Sequence, residues 1–323
     1  MIYSRIEGTG RYLPERILTN ADLEKMVDTT DEWIKTRTGV ERRHVASEEE
    51  NTSDMCVAAA KNAMDAAGIT ADEIDLIVVG TTTPDLIFPN VATIVQERLG
   101  IHGCPAFSIE AACTGFIYAL ATTDKFIRTG STKCALVIGA EIITRLVDWS
   151  DRSTCVLFGD GAGAVIVKPS EEAGIISTHL GADGQYRDLL YYPVGVSCSL
   201  EKAGIVEEAR ILMKGNEVFK VAVKTLGNVA TEALEANNID KSELDWLIPH
   251  QANLRIIQAT AKRLEMPMDK VIQTVQIHGN TSAASVPLAL DVGIRDGRIK
   301  RGQLLLLEGF GGGFTWGSIL LRY

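Results

Sequence analysis

The sequence lacks both paired cysteines and long hydrophobic runs. None of its six cysteines belongs to a Cys-x-x-Cys pair, so we predict neither a zinc site nor a disulfide framework and expect reduced thiols. No stretch approaches the roughly 18 apolar residues of a membrane-spanning helix, and the N-terminus shows no secretory signal pattern. We therefore expect a cytoplasmic protein with no membrane segment and no metal. The six cysteines are Cys56, Cys104, Cys113, Cys134, Cys155 and Cys198.

Positive charge is also scarce. The chain carries 32 Lys and Arg against 42 Asp and Glu, and the formal net charge of −10 argues against general nucleic-acid binding. A local basic patch can still bind an acidic partner. Apolar sequence, in contrast, is abundant: 46% of the 323 residues are hydrophobic and 23% are charged, which is typical of a globular protein with a substantial core.

Apolar stretches repeat along the chain at a constant spacing. The stretch 75–80 has a counterpart at 245–250, and the stretch 134–139 has one at 304–309, in both cases 170 residues later. No Pro-rich or low-complexity linker separates the repeats, so we expect two related halves that pack as one body. The predicted halves are residues 1–172 and 173–323.

Each half is predicted to have the same order of elements. A helix (91–99 or 254–264) is followed by a strand, a tight polar turn and another helix. Strands that alternate with helices predict an α/β fold with parallel sheets covered by helices. The order also suggests that Asn280, in the second polar turn, is the counterpart of Cys113 in the first.

Cys113 is a candidate nucleophile because of its position. Residues 106–110 are predicted to form a buried strand, 111–115 a turn and 116–128 a helix. A thiol in the first turn of a helix faces the positive end of the helix dipole, which favours the thiolate. The alternative is a buried structural cysteine, since free cysteine is among the most buried residue types.

Further polar turns follow other apolar strands. His250 and Asn280 lie in such turns, and an imidazole and an amide can polarise a carbonyl beside a thiolate. Either could instead be a hydrogen-bonded structural residue. The glycine-rich segment 309–314 can approach a ligand closely and offer a backbone N–H to an oxyanion, although a flexible loop is the simpler interpretation. It lacks the spacing of a dinucleotide-binding loop.

These segments together closely resemble β-ketoacyl-acyl-carrier-protein synthase III. The resemblance spans the whole chain and also includes the N-terminal segments Gly8 to Pro14 and Asp31 to Gly39. The motifs that carry it are Ala111-Ala112-Cys113-Thr114-Gly115, Pro249-His250-Gln251-Ala252-Asn253, His278-Gly279-Asn280-Thr281-Ser282 and Gly309-Phe310-Gly311-Gly312-Gly313-Phe314-Thr315-Trp316-Gly317.

The resemblance implies a fold, a reaction and a set of catalytic groups. The fold would be thiolase-like, with five αβαβα layers built from two duplicated halves, in a homodimer. The reaction would transfer an acyl group from acetyl-CoA or another short acyl-CoA to Cys113, and then condense it with malonyl-acyl-carrier-protein as CO₂ leaves. His250 and Asn280 would stabilise the enolate, and the N–H groups of Cys113 and Gly312 would form the oxyanion hole. Coenzyme A would be part of the substrate, and no further cofactor is implied.

The resemblance also assigns binding residues. A basic patch on the surface, outside the substrate tunnel, would receive the carrier protein, and Phe88 would cross a dimer interface to close the partner's acyl pocket. The residues matched to coenzyme A contacts are Thr29, Trp33, Arg37, Arg152, Gly215 and Asn253. Those of the acyl pocket are Phe88, Phe158 and Phe310, and those of the carrier-protein patch are Lys220, Arg255, Lys262 and Arg263.

Other functions remain open at this point. The main alternative is a ketosynthase-III-like enzyme of secondary metabolism that uses a different acyl donor. A catalytically silent, carrier-protein-binding homologue would keep the fold, but Cys113, His250 and Asn280 are all present, which disfavours it. A degradative thiolase would normally have a second active-site cysteine, and a cysteine hydrolase would need no carrier-protein patch.

Overall fold

The repeated apolar stretches form equivalent strands in two sheets. In the computed structural model, which describes residues 2–197 and 209–323, Leu76–Gly80 and Trp246–Pro249 are such a pair. Every residue of the first strand is buried, as expected where helices cover both faces of a sheet. Cys198 lies outside the described residues.

Strands and helices alternate through most of the described chain. The strands are β1 (Tyr3–Tyr12), β2 (Ile17–Thr19), β3 (Arg42–His44), β4 (Leu76–Gly80), β5 (Ala106–Ile109), β6 (Ala135–Glu141), β7 (Gly161–Ser170), β8 (Ile175–Ala182), β9 (Leu190–Tyr191), β10 (Leu212–Met213), β11 (Trp246–Pro249), β12 (Leu304–Gly311) and β13 (Thr315–Arg322). The helices are α1 (Asn20–Leu23), α2 (Asp31–Thr38), α3 (Thr52–Ala67), α4 (Val91–Arg98), α5 (Gly115–Arg128), α6 (Gly215–Glu235), α7 (Leu254–Arg263), α8 (Val275–His278) and α9 (Ser285–Arg295).

The two main sheets share strand order and register. The first has the order β1-β7-β6-β4-β5 and the second the order β8-β13-β12-β11. Leu76 pairs with Ala135 in the first and Trp246 with Leu305 in the second, so a shift of 170 residues places one pair on the other. The predicted α/β fold from two duplicated halves is confirmed.

Helices separate the sheets and cover their outer faces. Apolar side chains of α5 and α9 pack between the sheets, those of α3 and α4 pack on the outer face of the first sheet, and those of α6 and α7 on the outer face of the second. The result is the predicted five-layered αβαβα arrangement. The boundary proposed between residues 172 and 173 falls in the connection from β7 to β8, and the division into two domains stays a prediction.

The strand predicted before the second polar turn does not form. Residues 275–278 are the short helix α8, whereas the equivalent position of the first half is β5. β5 lies at the edge of its sheet and is half-buried in the single chain, whereas a buried strand was predicted.

The predicted equivalence of Cys113 and Asn280 was also wrong. Short 3₁₀ turns occupy residues 112–114 and 282–284, and both begin with a left-handed residue, Ala112 at φ 47° and Ser282 at φ 49°. The same 170-residue shift therefore matches Cys113 with Ala283, and Asn280 precedes the second turn.

The described residues can be compared with the predictions about membrane helices, metal sites and cysteines. No helix among them is long and apolar enough to cross a membrane. Across the same residues, no three His, Cys, Asp or Glu side chains are grouped so that they could hold a metal ion. The five described cysteines are free thiols: Cys56, Cys104, Cys113, Cys134 and Cys155.

Candidate functional site

One cavity joins the polar turns of both halves. It has a volume of about 320 Å³, and its walls come from α2, residues 152–158, α6 and the beginning of α7. Its lining includes Cys113 from the first half and His250 and Asn280 from the second. The predicted acyl-pocket residues Phe158 and Phe310 also line it.

Cys113 lies in the 3₁₀ turn that precedes α5, where it is half-buried. Two threonines attach this turn to the second sheet. The Thr114 hydroxyl donates to the Thr315 carbonyl at 3.2 Å, and the Thr315 hydroxyl donates to the Ala111 carbonyl at 3.0 Å. The thiol is therefore held between the two halves of the fold.

Burial dominates the acidity of this thiol. It raises the pKa of Cys113 to about 12, and the negative charge of Glu141 adds to the rise, while the hydrogen bond with Ser282 acts in the opposite direction. The enclosure of Cys113 therefore acts against the thiolate that its position before α5 was expected to favour.

The glycine-rich turn between β12 and β13 lies against the cysteine turn. A Cβ added to Gly311 would come within 2.6 Å of the Cys113 backbone nitrogen, so this approach requires glycine. A Cβ on the next residue, Gly312, would lie 3.6 Å from the Ala112 Cβ. The two candidate oxyanion donors, the N–H groups of Cys113 and Gly312, therefore belong to turns that touch each other.

His250 follows β11 and continues its backbone pairing with β12, and its side chain lines the cavity. Its N–H donates to the Glu308 carbonyl at 2.8 Å, and its Nδ1 lies 2.6 Å from the Ser285 hydroxyl oxygen. Burial lowers the pKa of His250 to about 3, so the imidazole is neutral at physiological pH. A neutral ring presents one donor and one acceptor nitrogen.

Asn280 is fixed by its backbone and its side chain. Its N–H donates to the Leu157 carbonyl at 2.8 Å, and its carbonyl accepts from the Gly159 N–H at 3.0 Å. The side-chain Oδ1 accepts from the Ser282 N–H at 2.9 Å. Because the oxygen is engaged in this way, the Nδ2 amide group is the part of the side chain that can donate to a ligand.

The residues predicted to contact coenzyme A form most of one wall of the cavity. Trp33, Arg37, Arg152, Gly215 and Asn253 all line it. Thr29 does not line it. The residue is half-buried, and its buried hydroxyl oxygen has no hydrogen-bond partner. The structure therefore brings five of the six predicted residues to the cavity.

The guanidinium group of Arg152 lies over the ring of Trp33. The guanidinium carbon of Arg152 is 5.2 Å from the Trp33 ring centroid, and its Nη1 donates to the Asp28 carbonyl at 2.6 Å. A flat ring inserted between them needs about 7 Å, two van der Waals contacts of ~3.5 Å each. The implied sandwich is therefore closed here, and Arg152 has to move to open it.

Asn253 has a structural role in addition to its place in the cavity wall. Its Oδ1 caps α7 by accepting the Arg255 N–H at 2.8 Å, and its Nδ2 donates to the Arg37 carbonyl at 3.1 Å. It thus joins α2 to α7 across the wall.

The predicted carrier-protein patch is only partly separate from the cavity. Lys220 and Lys262 are exposed and do not line it. Arg255 does line it, with its guanidinium carbon 5.0 Å from the Phe219 ring centroid, so the expectation that the whole patch lies outside the tunnel was wrong. Arg263 donates to the Asn228 side-chain oxygen at 2.6 Å, which attaches it to α6.

Phe88 does not line the cavity of its own chain. It is 84% exposed and follows two other exposed apolar residues, Leu86 at 52% and Ile87 at 69%. Three neighbouring apolar side chains in one exposed loop are unusual for a surface that only meets water.

Sequence reasoning missed three polar residues around the site. Ser285 contacts His250, and the Ser282 hydroxyl donates to the buried carboxylate of Glu141 at 3.2 Å. A lone acidic residue at the end of an otherwise apolar strand is a signal that could have identified Glu141.

Comparisons with known proteins point to one family. The family model described as 3-oxoacyl-[acyl-carrier-protein (ACP)] synthase III matches residues 107–184, and the model of its C-terminal part matches residues 234–323. A β-ketoacyl-[acyl-carrier-protein] synthase III from Thioalkalivibrio sulfidiphilus is 63% identical over 323 residues, which is 100% of both chains.

Solved structures show the same similarity. The 3-oxoacyl-[acyl-carrier-protein] synthase III from Aquifex aeolicus is 49% identical, with a TM-score of 0.93 over 99% of this chain and 100% of that chain. The priming β-ketosynthase from the R1128 polyketide biosynthetic pathway is 37% identical, with a TM-score of 0.93 over 99% and 96% of the two chains. The thiolase-like fold is thereby confirmed, and identity of this order over the full length shows that the chain belongs to the β-ketoacyl-acyl-carrier-protein synthase III family.

Proposed function

We propose that this protein condenses an acyl-CoA primer, acetyl-CoA above all, with malonyl-acyl-carrier-protein and thereby initiates fatty acid biosynthesis. The products are 3-oxoacyl-acyl-carrier-protein, CoA and CO₂. The observation that carries the proposal is the single cavity lined by Cys113, His250 and Asn280 in a chain 63% identical over its full length to a named synthase of this type.

Acyl transfer to Cys113 is the first step. The sulfur forms a bond to the thioester carbonyl carbon, the bond from that carbon to the CoA sulfur breaks, and the thiol proton ends on CoA. The N–H groups of Cys113 and Gly312 stabilise the tetrahedral oxyanion. The contact of the Gly311 turn with the Cys113 nitrogen supports this role.

Decarboxylation and condensation follow. Loss of CO₂ from the malonyl thioester leaves an electron pair that is delocalised as an enolate. The enolate carbon attacks the acyl group on Cys113 and expels the sulfur as a thiolate, which takes up a proton from solvent. His250 and Asn280 donate hydrogen bonds to the enolate oxygen. The departing CO₂ supplies the electron pair, so we propose no cofactor beyond the coenzyme A thioester itself.

Ser285 would set the tautomer of His250. The Gln251 N–H donates to the Ser285 hydroxyl oxygen at 3.3 Å, and that hydroxyl can donate its own proton to His250 Nδ1. The proton of the neutral ring then lies on Nε2, where it can be donated to the enolate.

Coenzyme A would lie along the wall that contains its predicted contacts. Trp33 and Arg152 would hold the adenine after Arg152 moves, with Arg37 and Thr29 near the nucleotide and Asn253 and Gly215 along the pantetheine. The acyl group would lie between Phe158 and Phe310.

We further propose a homodimer in the cytoplasm. The exposed apolar side chains of Leu86, Ile87 and Phe88 and the half-buried edge strand β5 support a second copy as the partner. In this arrangement Phe88 would close the acyl pocket of the partner.

The surface lysines give a test of carrier-protein docking. We expect the double reversal Lys220→Glu and Lys262→Glu to raise the KM for malonyl-acyl-carrier-protein about tenfold at low salt, because two ion pairs are replaced by repulsion. The KM for acetyl-CoA should not change, and the effect should shrink as salt is added. Steady-state kinetics with each substrate varied measures both.

Two further variants sharpen this test. Arg255→Glu should raise both KM values, since Arg255 also lines the cavity. Lys61→Glu, an exposed lysine of α3 on the opposite outer layer, should change neither. Unchanged malonyl-acyl-carrier-protein kinetics in the double reversal would show that the carrier docks elsewhere.

The secondary-metabolism alternative is supported by the 37% identity to a priming β-ketosynthase of a polyketide pathway. The higher identity to synthases III favours fatty acid initiation. Incubation of the intact protein with a panel of acyl-CoAs, followed by mass spectrometry, distinguishes the two. We expect retention of an acetyl group; selective retention of a different acyl group would favour the alternative, and retention of none would contradict both.

A further inference from the structure

The buried carboxyl group of Glu141 holds a turn that belongs to the other half of the fold. Glu141 ends β6 with 0% exposure, and its Oε1 accepts from the Ser282 hydroxyl at 3.2 Å. The loop after β4 fixes the carboxyl group in turn, because Oε1 accepts from the Thr82 hydroxyl at 2.9 Å and Oε2 from the Thr83 hydroxyl at 2.5 Å. Ser282 is therefore attached to a group that is itself held from several sides.

The internal repeat gives this carboxyl group a counterpart in the other half. A shift of 170 residues matches Glu141 with Gly311, which lies against the turn of Cys113. β6 approaches the second turn in the same way, since a Cβ on Gly139 would lie 2.3 Å from the Ala283 carbonyl oxygen. The first turn thus meets a glycine at the place where the second turn meets a side chain that can accept hydrogen bonds.

Ser282 has a backbone conformation that serine rarely adopts. Its φ of 49° lies in the left-handed region, which is unfavourable for residues other than glycine. The bond from its hydroxyl to Glu141 stabilises this conformation. In the same conformation the Ser282 N–H donates to Asn280 Oδ1 at 2.9 Å. Without Glu141, ordinary backbone conformations of Ser282 would be favoured, and its N–H would move relative to Asn280.

The bond from Ser282 determines which end of the Asn280 amide faces the cavity. Backbone hydrogen bonds with Leu157 and Gly159 already hold Asn280, so rotation of its side chain is the freedom that remains. With Oδ1 engaged by the Ser282 N–H, Nδ2 is the group left to donate into the cavity. A side chain that could rotate would also present its oxygen, which cannot donate to an enolate.

We propose that Glu141 is a positioning residue that acts through Ser282 to aim the amide of Asn280 at the enolate. The proposal rests on the proposed role of Asn280 in decarboxylation. It requires an acceptor oxygen on residue 141 and not a charge, because the ionised and the protonated carboxyl group both retain an acceptor. Glu141 and Ser282 do not line the cavity, so they act on the reaction through Asn280 and not by contact with the substrate.

Variants of Ser282 test this role in the two half-reactions. We expect Ser282→Ala to slow CO₂ release from malonyl-acyl-carrier-protein about tenfold, because alanine disfavours the left-handed conformation and lacks the bond that holds it. Acetyl transfer to Cys113 should change less than about twofold, since its oxyanion is stabilised by backbone N–H groups. Ser282→Gly also lacks the hydroxyl but adopts this conformation readily, so it should slow CO₂ release less than about threefold.

A double-variant cycle shows whether the effect passes through Asn280. In an Asn280→Ala background, Ser282→Ala should slow CO₂ release no further, because both substitutions remove the same oriented amide. Acetyl-enzyme formation, measured by mass spectrometry of the intact protein in the same variants, reports any general loss of structure.

Substitutions of Glu141 test the other end of the connection. Glu141→Met keeps the size of the side chain but removes both acceptors, and it should slow CO₂ release as much as Ser282→Ala, without an additive effect in the double variant. Glu141→Gln keeps one acceptor oxygen and should lose less than Glu141→Met. If Glu141→Met does not fold, Glu141→Asp, whose shorter side chain draws the acceptor away from Ser282, should show the same loss.

Four results would overturn the proposal. They are full CO₂ release in Ser282→Ala, equal loss in Ser282→Ala and Ser282→Gly, equal loss of both half-reactions, and an undiminished effect of Ser282→Ala in the Asn280→Ala background. Full CO₂ release in Asn280→Ala itself would contradict the proposed function, and the positioning role would fall with it. Slow release in Asn280→Ala together with full release in Ser282→Ala would contradict the positioning role alone.

Discussion

Cys113→Ala is expected to abolish covalent attachment of the acetyl group while the fold stays intact. The thiol is the nucleophile of the proposed mechanism, and its removal leaves only a small gap beside an existing cavity. Mass spectrometry of the intact protein after incubation with acetyl-CoA should show no added acetyl group. Circular dichroism should match that of the wild type.

A matched control separates this effect from general cysteine loss. Cys134→Ala removes a buried thiol at the beginning of the β6 region, outside the cavity, and should retain full acetylation. An acetyl group that remains on folded Cys113→Ala would exclude Cys113 as the acceptor.

His250→Ala and Asn280→Ala are expected to slow malonyl-acyl-carrier-protein decarboxylation by about 10²- to 10³-fold each, the usual effect of removing one oxyanion donor. Acetyl transfer to Cys113 should fall much less, because its oxyanion is stabilised by the backbone N–H groups of Cys113 and Gly312. The two half-reactions can be measured separately, as acetyl-enzyme formation and as release of CO₂.

A conservative substitution tests whether the amide of Asn280 acts as a donor. Asn280→Asp keeps the shape but replaces the donor amide with a carboxylate, so it should lose decarboxylation as completely as Asn280→Ala. Equal loss of both half-reactions in folded His250→Ala and Asn280→Ala would contradict the proposed division of roles.

Much of the architecture could be predicted because it depends on local pattern. The 170-residue shift identified both sheets, and the helix predicted at 254–264 is α7 (Leu254–Arg263). The cavity also joins Cys113, His250 and Asn280, as their motifs implied. Alternation of apolar strands with helices and polar residues at strand ends are properties of the chain itself.

The errors concern properties that arise only when distant segments meet. The thiol of Cys113 is made less acidic by the elements that enclose it and by the nearby charge of Glu141. Asn280 was matched with Cys113 from element order, but α8 replaces a strand before the second turn, so the true counterpart is Ala283. The place of Arg255 in the cavity wall depends on how α7 packs against α6.

One cavity with Cys113, Trp33 and Arg255 in its lining has a consequence for the order of events. In the proposed mechanism the thioesters of CoA and of the carrier protein both reach Cys113 in this cavity, so the two substrates would occupy it in turn. Malonyl-acyl-carrier-protein would then compete with acyl-CoA for the free enzyme, and CoA would compete with malonyl-acyl-carrier-protein for the acylated enzyme. A rise in free CoA would slow condensation without any separate regulatory site.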